Sequence, residues 1–322
     1  MLIIIILVII LILLYIKNNK IKEYISIRNN IQQTIIKRKT KKIHIWQSKG
    51  HDNKLEFMYK PIINSIIEFI KEINKNIIIE YKNSNYNNDE IQSNDILIWV
   101  GCNNILDFNY FINKNIYTIY YNTEPDFTNP NSNEIWTYSK YLFDKYFIND
   151  NQIIRFFPII CEITNYYVPY NLKNDNNLKL IFMGNLNYRQ DKKNILFNNS
   201  LIKNNLIEKY DLWNDDDYNK FINKTPNIFI NLLKSKSVVL PSVRLNKLLS
   251  HKCIIISEHT NEIDEEYYKD IVYFCDINDI QNIYKKLIMK SADELVIESN
   301  TKYNIFYNRF NSKNIVNMIL QK

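Results

Sequence analysis

Three features predict an α/β fold of two Rossmann-like, doubly wound domains behind an N-terminal membrane anchor. Short apolar runs alternate with segments whose apolar residues recur at helical spacing. That is the pattern of βαβ units and of a parallel sheet covered on both faces. The alternation stops once, in the polar, proline-containing stretch 165–177, and then restarts. Two of the three glycines, Gly101 and Gly184, stand where an apolar run ends, and glycine lets a backbone approach a ligand closely.

Residues 1–16, MLIIIILVIILILLYI, are almost unbroken Ile, Leu and Val. A membrane span takes about 20 apolar residues, with a lower limit near 17. This run is short, and Tyr15 and Lys17 suit the interface. It lacks the basic start and small-residue cut site of a signal peptide, which predicts an uncleaved anchor over 1–17. The basic flank follows the anchor, so the positive-inside rule places the body in the cytoplasm. Free cysteines fit that side, while the sequons at Asn198 and Asn223 point the other way. Residues 18–40 read as a basic stalk.

The N-terminal domain is expected over 41–165. Strands are read at 42–48, 76–81, 95–101, 115–121, 134–139 and 153–158, with helices at 55–74 and 140–148. Gly50 and His51 lie on the loop after the first strand. The C-terminal domain is expected over 175–322, after the linker. Its strands are read at 178–184, 227–233, 253–258 and 270–275. Its helices fall at 192–202, 243–251 and 278–290, followed by a helical tail.

Hydrophobic residues at 46% and aromatics at 14% supply ample core and exclude global disorder. The excess of Asn, Ile and Lys matches an AT-rich genome such as that of a parasite, a protist or a large DNA virus. The net charge is +7, and Lys17, Lys20, Lys22, Lys37, Arg38, Lys39, Lys41 and Lys42 account for it. A nucleic-acid partner would require a basic face on the folded body. Here the charge adjoins the apolar segment, as expected for anionic lipid headgroups. Cys102, Cys161, Cys253 and Cys275 show no metal-ligand spacing and read as small buried hydrophobes. A Cys253–Cys275 pairing stays open.

Two segments could carry chemistry. In FMGNLNYRQDKKNIL (182–196) a strand ends at Gly184, a polar turn follows, and a helix starts near Gln190 or Asp191. Helix N-termini attract phosphate, and Arg189 can pair with its oxygens. The alternative is an ordinary βα turn with a solvated arginine. In LPSVRLNKLLSHKCIIISEHTNEIDEEYY (240–268), Arg244 and Lys247 are three apart on a helix, and Glu258 ends the next strand. A carboxylate there could hold ribose hydroxyls, or it could bond local backbone. Asp215, Asp216 and Asp217 read as a helix start rather than a metal site.

From about residue 118 to 280 the chain resembles GT-B glycosyltransferases of the group 1 type, especially those of bacterial polysaccharide and viral glycan clusters. The resemblance rests on six pieces in order. They are Tyr121-Asn122-Thr123-Glu124, EIWTYS at 134–139, Gly184 to Arg189, Ile230-Asn231, the Arg244 helix with Ser257-Glu258, and Tyr268 to Phe274. It implies a nucleoside-diphosphate sugar held by the second domain, a glycan or glycoconjugate acceptor held by the first, and no required cofactor or metal. Gly184, Asn185, Arg189, Asn231, Arg244, Lys247, Ser257 and Glu258 would bind the donor. His51 and Glu124 are the candidates for the general base. The chain departs from the family at Leu233, where relatives often carry His, at Pro241, where they often carry Glu, and at His251-Lys252. These departures leave open a non-catalytic nucleotide- or sugar-binding or scaffold protein at a membrane.

Overall fold

The computed structural model describes residues 30–48, 54–101, 106–124, 130–146, 153–174, 178–234 and 237–321. The expected anchor, most of the stalk, Gly50, His51 and Cys102 lie outside the described residues. Among the described residues, no helix is long and apolar enough to cross a membrane.

The first half runs α1 (Asn30–Lys37), β1 (Lys42–Gln47), α2 (Lys54–Ile73), β2 (Ile78–Lys82), β3 (Ile96–Val100), α3 (Phe108–Asn113), β4 (Tyr117–Asn122), β5 (Glu134–Thr137), α4 (Lys140–Tyr146) and β6 (Ile153–Phe156). Its strands form one six-stranded parallel sheet in the order β2-β1-β3-β4-β5-β6. β3 is buried along its whole length, so both of its faces must be apolar. Ile96, Ile98 and Val100 pack with Ile62, Ile66 and Phe69 of α2. Leu97 and Trp99 face the other way, with Trp46, Tyr120 and Phe111.

The second half runs β7 (Lys179–Met183), α5 (Gln190–Phe197), α6 (Ser200–Asn205), β8 (Leu206–Lys209), α7 (Asp215–Ile222), β9 (Asn227–Asn231), α8 (Ser242–Ser250), β10 (Ile254–Glu258), α9 (Glu262–Tyr267), β11 (Tyr273–Cys275), α10 (Ile280–Ile288), α11 (Ala292–Phe310) and α12 (Ser312–Gln321). Its sheet is five-stranded and parallel, in the order β11-β10-β9-β7-β8. Two Rossmann-like sheets thus follow one another along the chain, as the alternation predicts. The helix expected over 192–202 is instead two helices. Asn199 interrupts it and caps the second, its side chain accepting from the Ile202 N–H at 3.2 Å. The strand expected over 270–275 is confined to Tyr273–Cys275. Cys161, Cys253 and Cys275 are buried free thiols.

The halves meet through segments that leave the carboxyl ends of strands. The buried Asp264 carboxylate, beyond β10, accepts from Ser139 Oγ (2.8 Å) and the Tyr141 N–H (3.1 Å), both beyond β5. Lys60 of α2 and Lys247 of α8 both donate to Asp215 at the start of α7. Asn246 of α8 donates to the Ile159 carbonyl (2.8 Å). The last helix returns to the first half, where Val316 joins the core around α2. The linker is pinned as well. The Tyr170 hydroxyl donates to the Asn227 carbonyl (2.8 Å) and accepts from the Ile254 N–H (2.9 Å).

His251 fixes the C-terminal end of α8. Its Nδ1 lies 2.8 Å from the Lys247 carbonyl and its Nε2 lies 2.9 Å from the Asn219 side chain of α7. Burial pushes its pKa from 6.5 down to about 4, outweighing the bond to the Lys247 carbonyl, which favours the cation. The unfolded chain binds this proton below about 6.5, whereas the folded one refuses it until about 4. This part of the stability is therefore complete above 6.5 and is lost as pH falls through that window. Urea unfolding midpoints measured between pH 7 and 4 should fall with pH, and His251→Gln should flatten the slope. An unchanged slope in the variant would remove His251 from the explanation.

Candidate functional site

In an open α/β sheet, a ligand sits outside the carboxyl ends of the strands where strand order reverses. In the second sheet that reversal lies between β7 and β9, which pair side by side. β7 leads through Gly184 and Asn185 into a short 3-10 turn, Leu186–Arg189, and then into α5. The Asn185 side chain caps the turn by accepting from the Asn187 N–H at 2.8 Å. The Leu186 N–H is held by Glu208 of β8 at 2.9 Å. This geometry folds Arg189 back across the sheet end. Its Nε donates to the Leu232 carbonyl just beyond β9 at 3.1 Å, and its other donor faces the Asn185 carbonyl at 3.5 Å.

Arg244, in the first turn of α8, reaches the same point from the opposite side and donates to Asn231 Oδ1 at 3.3 Å. The Arg189 and Arg244 guanidinium carbons lie 5.1 and 5.8 Å from the centre of the Phe182 ring. Both arginines are half-buried. Among the described residues, neither forms an ion pair, while Lys192, Lys247 and Arg155 do. Burial, and then the like charge of Arg189, push Arg244 down to about 10, which leaves it a cation at neutral pH. Burial lowers Arg189 too, and the Glu258 charge opposes that shift. Two half-buried cations side by side are costly without an anion. Arg189 stands at the N-cap of α5 and Arg244 in the first turn of α8, where helix dipoles also favour negative charge. Chemically, this arrangement can hold an anion.

Behind the pair runs a buried hydrogen-bond chain. Asn231 Nδ2 donates to Ser257 Oγ (2.9 Å), which donates to the Glu258 carbonyl (2.9 Å). The Glu258 carboxylate accepts from the Leu233 N–H (2.8 Å) and from Lys192 Nζ (2.5 and 2.6 Å). Glu258 therefore does bond local backbone, and it also holds a cation. The sequence reading passes over Lys192 as one of several helix lysines. Its position two residues into the helix after the glycine turn is the signal that could have found it.

The structure brings Gly184, Asn185, Arg189, Asn231, Arg244, Ser257 and Glu258 to one sheet end. It does not bring Lys247 there. That side chain is buried against the Phe57 ring (3.9 Å) and paired to Asp215 (3.0 Å). Asp215, Asp216 and Asp217 form the first turn of α7 under the Asn214 cap, as expected. No metal-holding cluster occurs among the described residues. Glu124 stands beyond β4, where its N–H faces Asn122 Oδ1 at 3.4 Å. His51 lies outside the described residues. Of the departures, Leu233 is buried and lends its N–H to Glu258. Pro241 precedes α8 without a side-chain cap. Lys252 adopts φ 57 and rests on Tyr167, 4.2 Å from the ring centre.

No protein-family model matches the sequence, and no curated protein matches it. Several solved structures are similar in fold. TarM aligns with a TM-score of 0.43 and 7% identity over 70% of this chain and 54% of that one. This chain thus spans about half the length of TarM. The N-terminal domain of a Candida albicans trehalose-6-phosphate phosphatase aligns with a TM-score of 0.48 and 8% identity, over 87% of this chain and 95% of that one. WaaG, a glycosyltransferase involved in lipopolysaccharide biosynthesis, aligns with a TM-score of 0.46 and 5% identity, over 86% and 99%.

A Cβ on Gly184 would lie 2.9 Å from the Phe182 ring, which is fully buried and cannot yield without moving the guanidiniums. Gly184→Ala should cost about 1–3 kcal/mol in urea unfolding. A wild-type midpoint would show that the ring has room to spare.

Proposed function

We propose that the chain is a glycosyltransferase that moves a sugar from a nucleoside-diphosphate sugar to an acceptor hydroxyl of a glycan or glycoconjugate. The observation that carries this reading is the Arg189–Arg244 pair. Two cations that form no ion pair among the described residues, and two helix starts, converge on the switch point of a parallel sheet. A diphosphate is a small ligand whose charge suits that arrangement, and the GT-B resemblance of the sequence agrees.

In transfer, the bond from the anomeric carbon to the diphosphate oxygen breaks and negative charge gathers on the departing diphosphate. Fixed cations stabilise that charge without reorganising. Arg189 and Arg244 are already held in place by neutral acceptors. Glu258, fixed by Lys192 and the Leu233 N–H, is the carboxylate for ribose or sugar hydroxyls. Asn231 orients Arg244 and faces the same ligand. The acceptor hydroxyl loses its proton to a base from the first domain, for which Glu124 and His51 are the candidates. Residues 1–17 anchor the chain, with the body on the cytoplasmic side and the basic stalk against anionic headgroups. The departures at Leu233 and Pro241 bear on rate and donor choice.

Thermal unfolding of the purified chain with UDP, GDP, CDP or dTDP tests the reading. One nucleotide at about a hundred times its Kd should add about 2.7 kcal/mol of stability. Arg189→Ala and Arg244→Ala should each abolish that gain. No stabilisation by any of the four at millimolar concentration would remove the donor site.

A further inference from the structure

The two half-buried arginines of the site differ from the buried Arg155 in what holds them. Arg155 of β6 donates from Nε and Nη2 to Glu134 at 2.7 and 3.0 Å. Its charge is cancelled inside the first domain. Every polar partner of Arg189 and Arg244 described here is neutral: the Leu232 and Asn185 carbonyls and the Asn231 amide. What the two share is the Phe182 ring, at 5.1 and 5.8 Å. The ring is fully buried. Gly184, two residues on, has no Cβ to displace it, since one would lie 2.9 Å from the ring edge.

From this we infer that Phe182 is a positioning residue that keeps Arg189 and Arg244 together while leaving their charge available to the ligand. The inference rests on the reading of this site as a diphosphate site. The physical reason lies in what an aromatic face can do that a carboxylate cannot. The face of a benzene ring carries a partial negative charge and attracts a cation that has lost its water. It carries no net charge, so it does not neutralise the arginines. A Glu in the same place would hold them more firmly, as Glu134 holds Arg155, and would compete with the phosphate oxygens. A Leu would fill the volume and leave two repelling cations free to diverge. Phe182 touches neither donor nor acceptor. It acts through the arginines, so its replacement should weaken binding of the diphosphate and leave binding of the base and ribose unchanged.

Stepwise ring fluorination separates this role from packing, because fluorine withdraws the negative face while nearly keeping the shape. The full chain would be prepared with Phe, 4-fluoro-Phe and 3,4,5-trifluoro-Phe at position 182. Calorimetry would measure binding of UDP, GDP, CDP and dTDP, with the matching nucleosides as controls. For the nucleotide that the unsubstituted chain binds, affinity should fall stepwise, by about tenfold at trifluoro-Phe, with nucleoside binding and melting temperature unchanged. Equal diphosphate affinity across the series would overturn the role of Phe182 while leaving the site reading standing. Absence of binding by the unsubstituted chain would instead overturn the site reading. If trifluoro-Phe disrupts folding, the 4-fluoro step decides alone: a measurable loss supports the role, and unchanged affinity rejects it.

Discussion

Two guanidinium groups share one aromatic ring and, among the described residues, form no ion pair, and much of the second domain is arranged to keep them there. Like charges that have lost part of their water repel more strongly than they would in solvent. Holding them together needs fixed acceptors on several elements. Leu232 and Asn231 supply these from the end of β9, Asn185 from the end of β7, and Phe182 from within β7. Those groups can converge because β7 and β9 are adjacent parallel strands whose following segments diverge to opposite sides of the reversal. The strand order is thus the source of the site, and the short turn Leu186–Arg189 sets Arg189 in it.

The charged groups around the site are paired with partners other than the arginines. Glu258, the nearest carboxylate to act on Arg189, is occupied by Lys192 and a backbone N–H. Lys247 is drawn off toward Asp215, which also takes Lys60 of the first domain. α8 therefore serves two purposes. Its first turn presents Arg244 to the site, and its later residues join the domains through Lys247 and Asn246. Asp264, accepting from Ser139 and Tyr141, restrains the same junction from α9.

The alternation of apolar runs made the two parallel sheets legible, because a strand covered on both faces must be largely apolar, as β3 is along its whole length and β9 is between its terminal asparagines. The glycine-turn-arginine order pointed to Arg189, since close backbone approach and a helix start both leave marks in sequence. What stayed hidden depends on side-chain direction. Arg244 and Lys247 share a helical spacing, yet one turns to β9 and the other to α7, and only packing decides which. Phe182 reads as one more apolar strand residue, and nothing local tells that its ring faces two cations. β8, α3 and α9 escaped because they are short and half polar, so neither periodicity has room to repeat. The break at Asn199 was unreadable among so many asparagines, although asparagine is a strong helix cap.

The central claim is that the uncompensated pair at the β7–β9 switch point receives a diphosphate. A crystal structure of the chain with its stabilising nucleoside diphosphate tests this most directly. Phosphate oxygens within hydrogen-bond distance of both Arg189 and Arg244, with Glu258 on the ribose side, are the expected result. A nucleotide bound elsewhere, with the two guanidiniums still held only by Phe182 and their neutral protein acceptors, would contradict it.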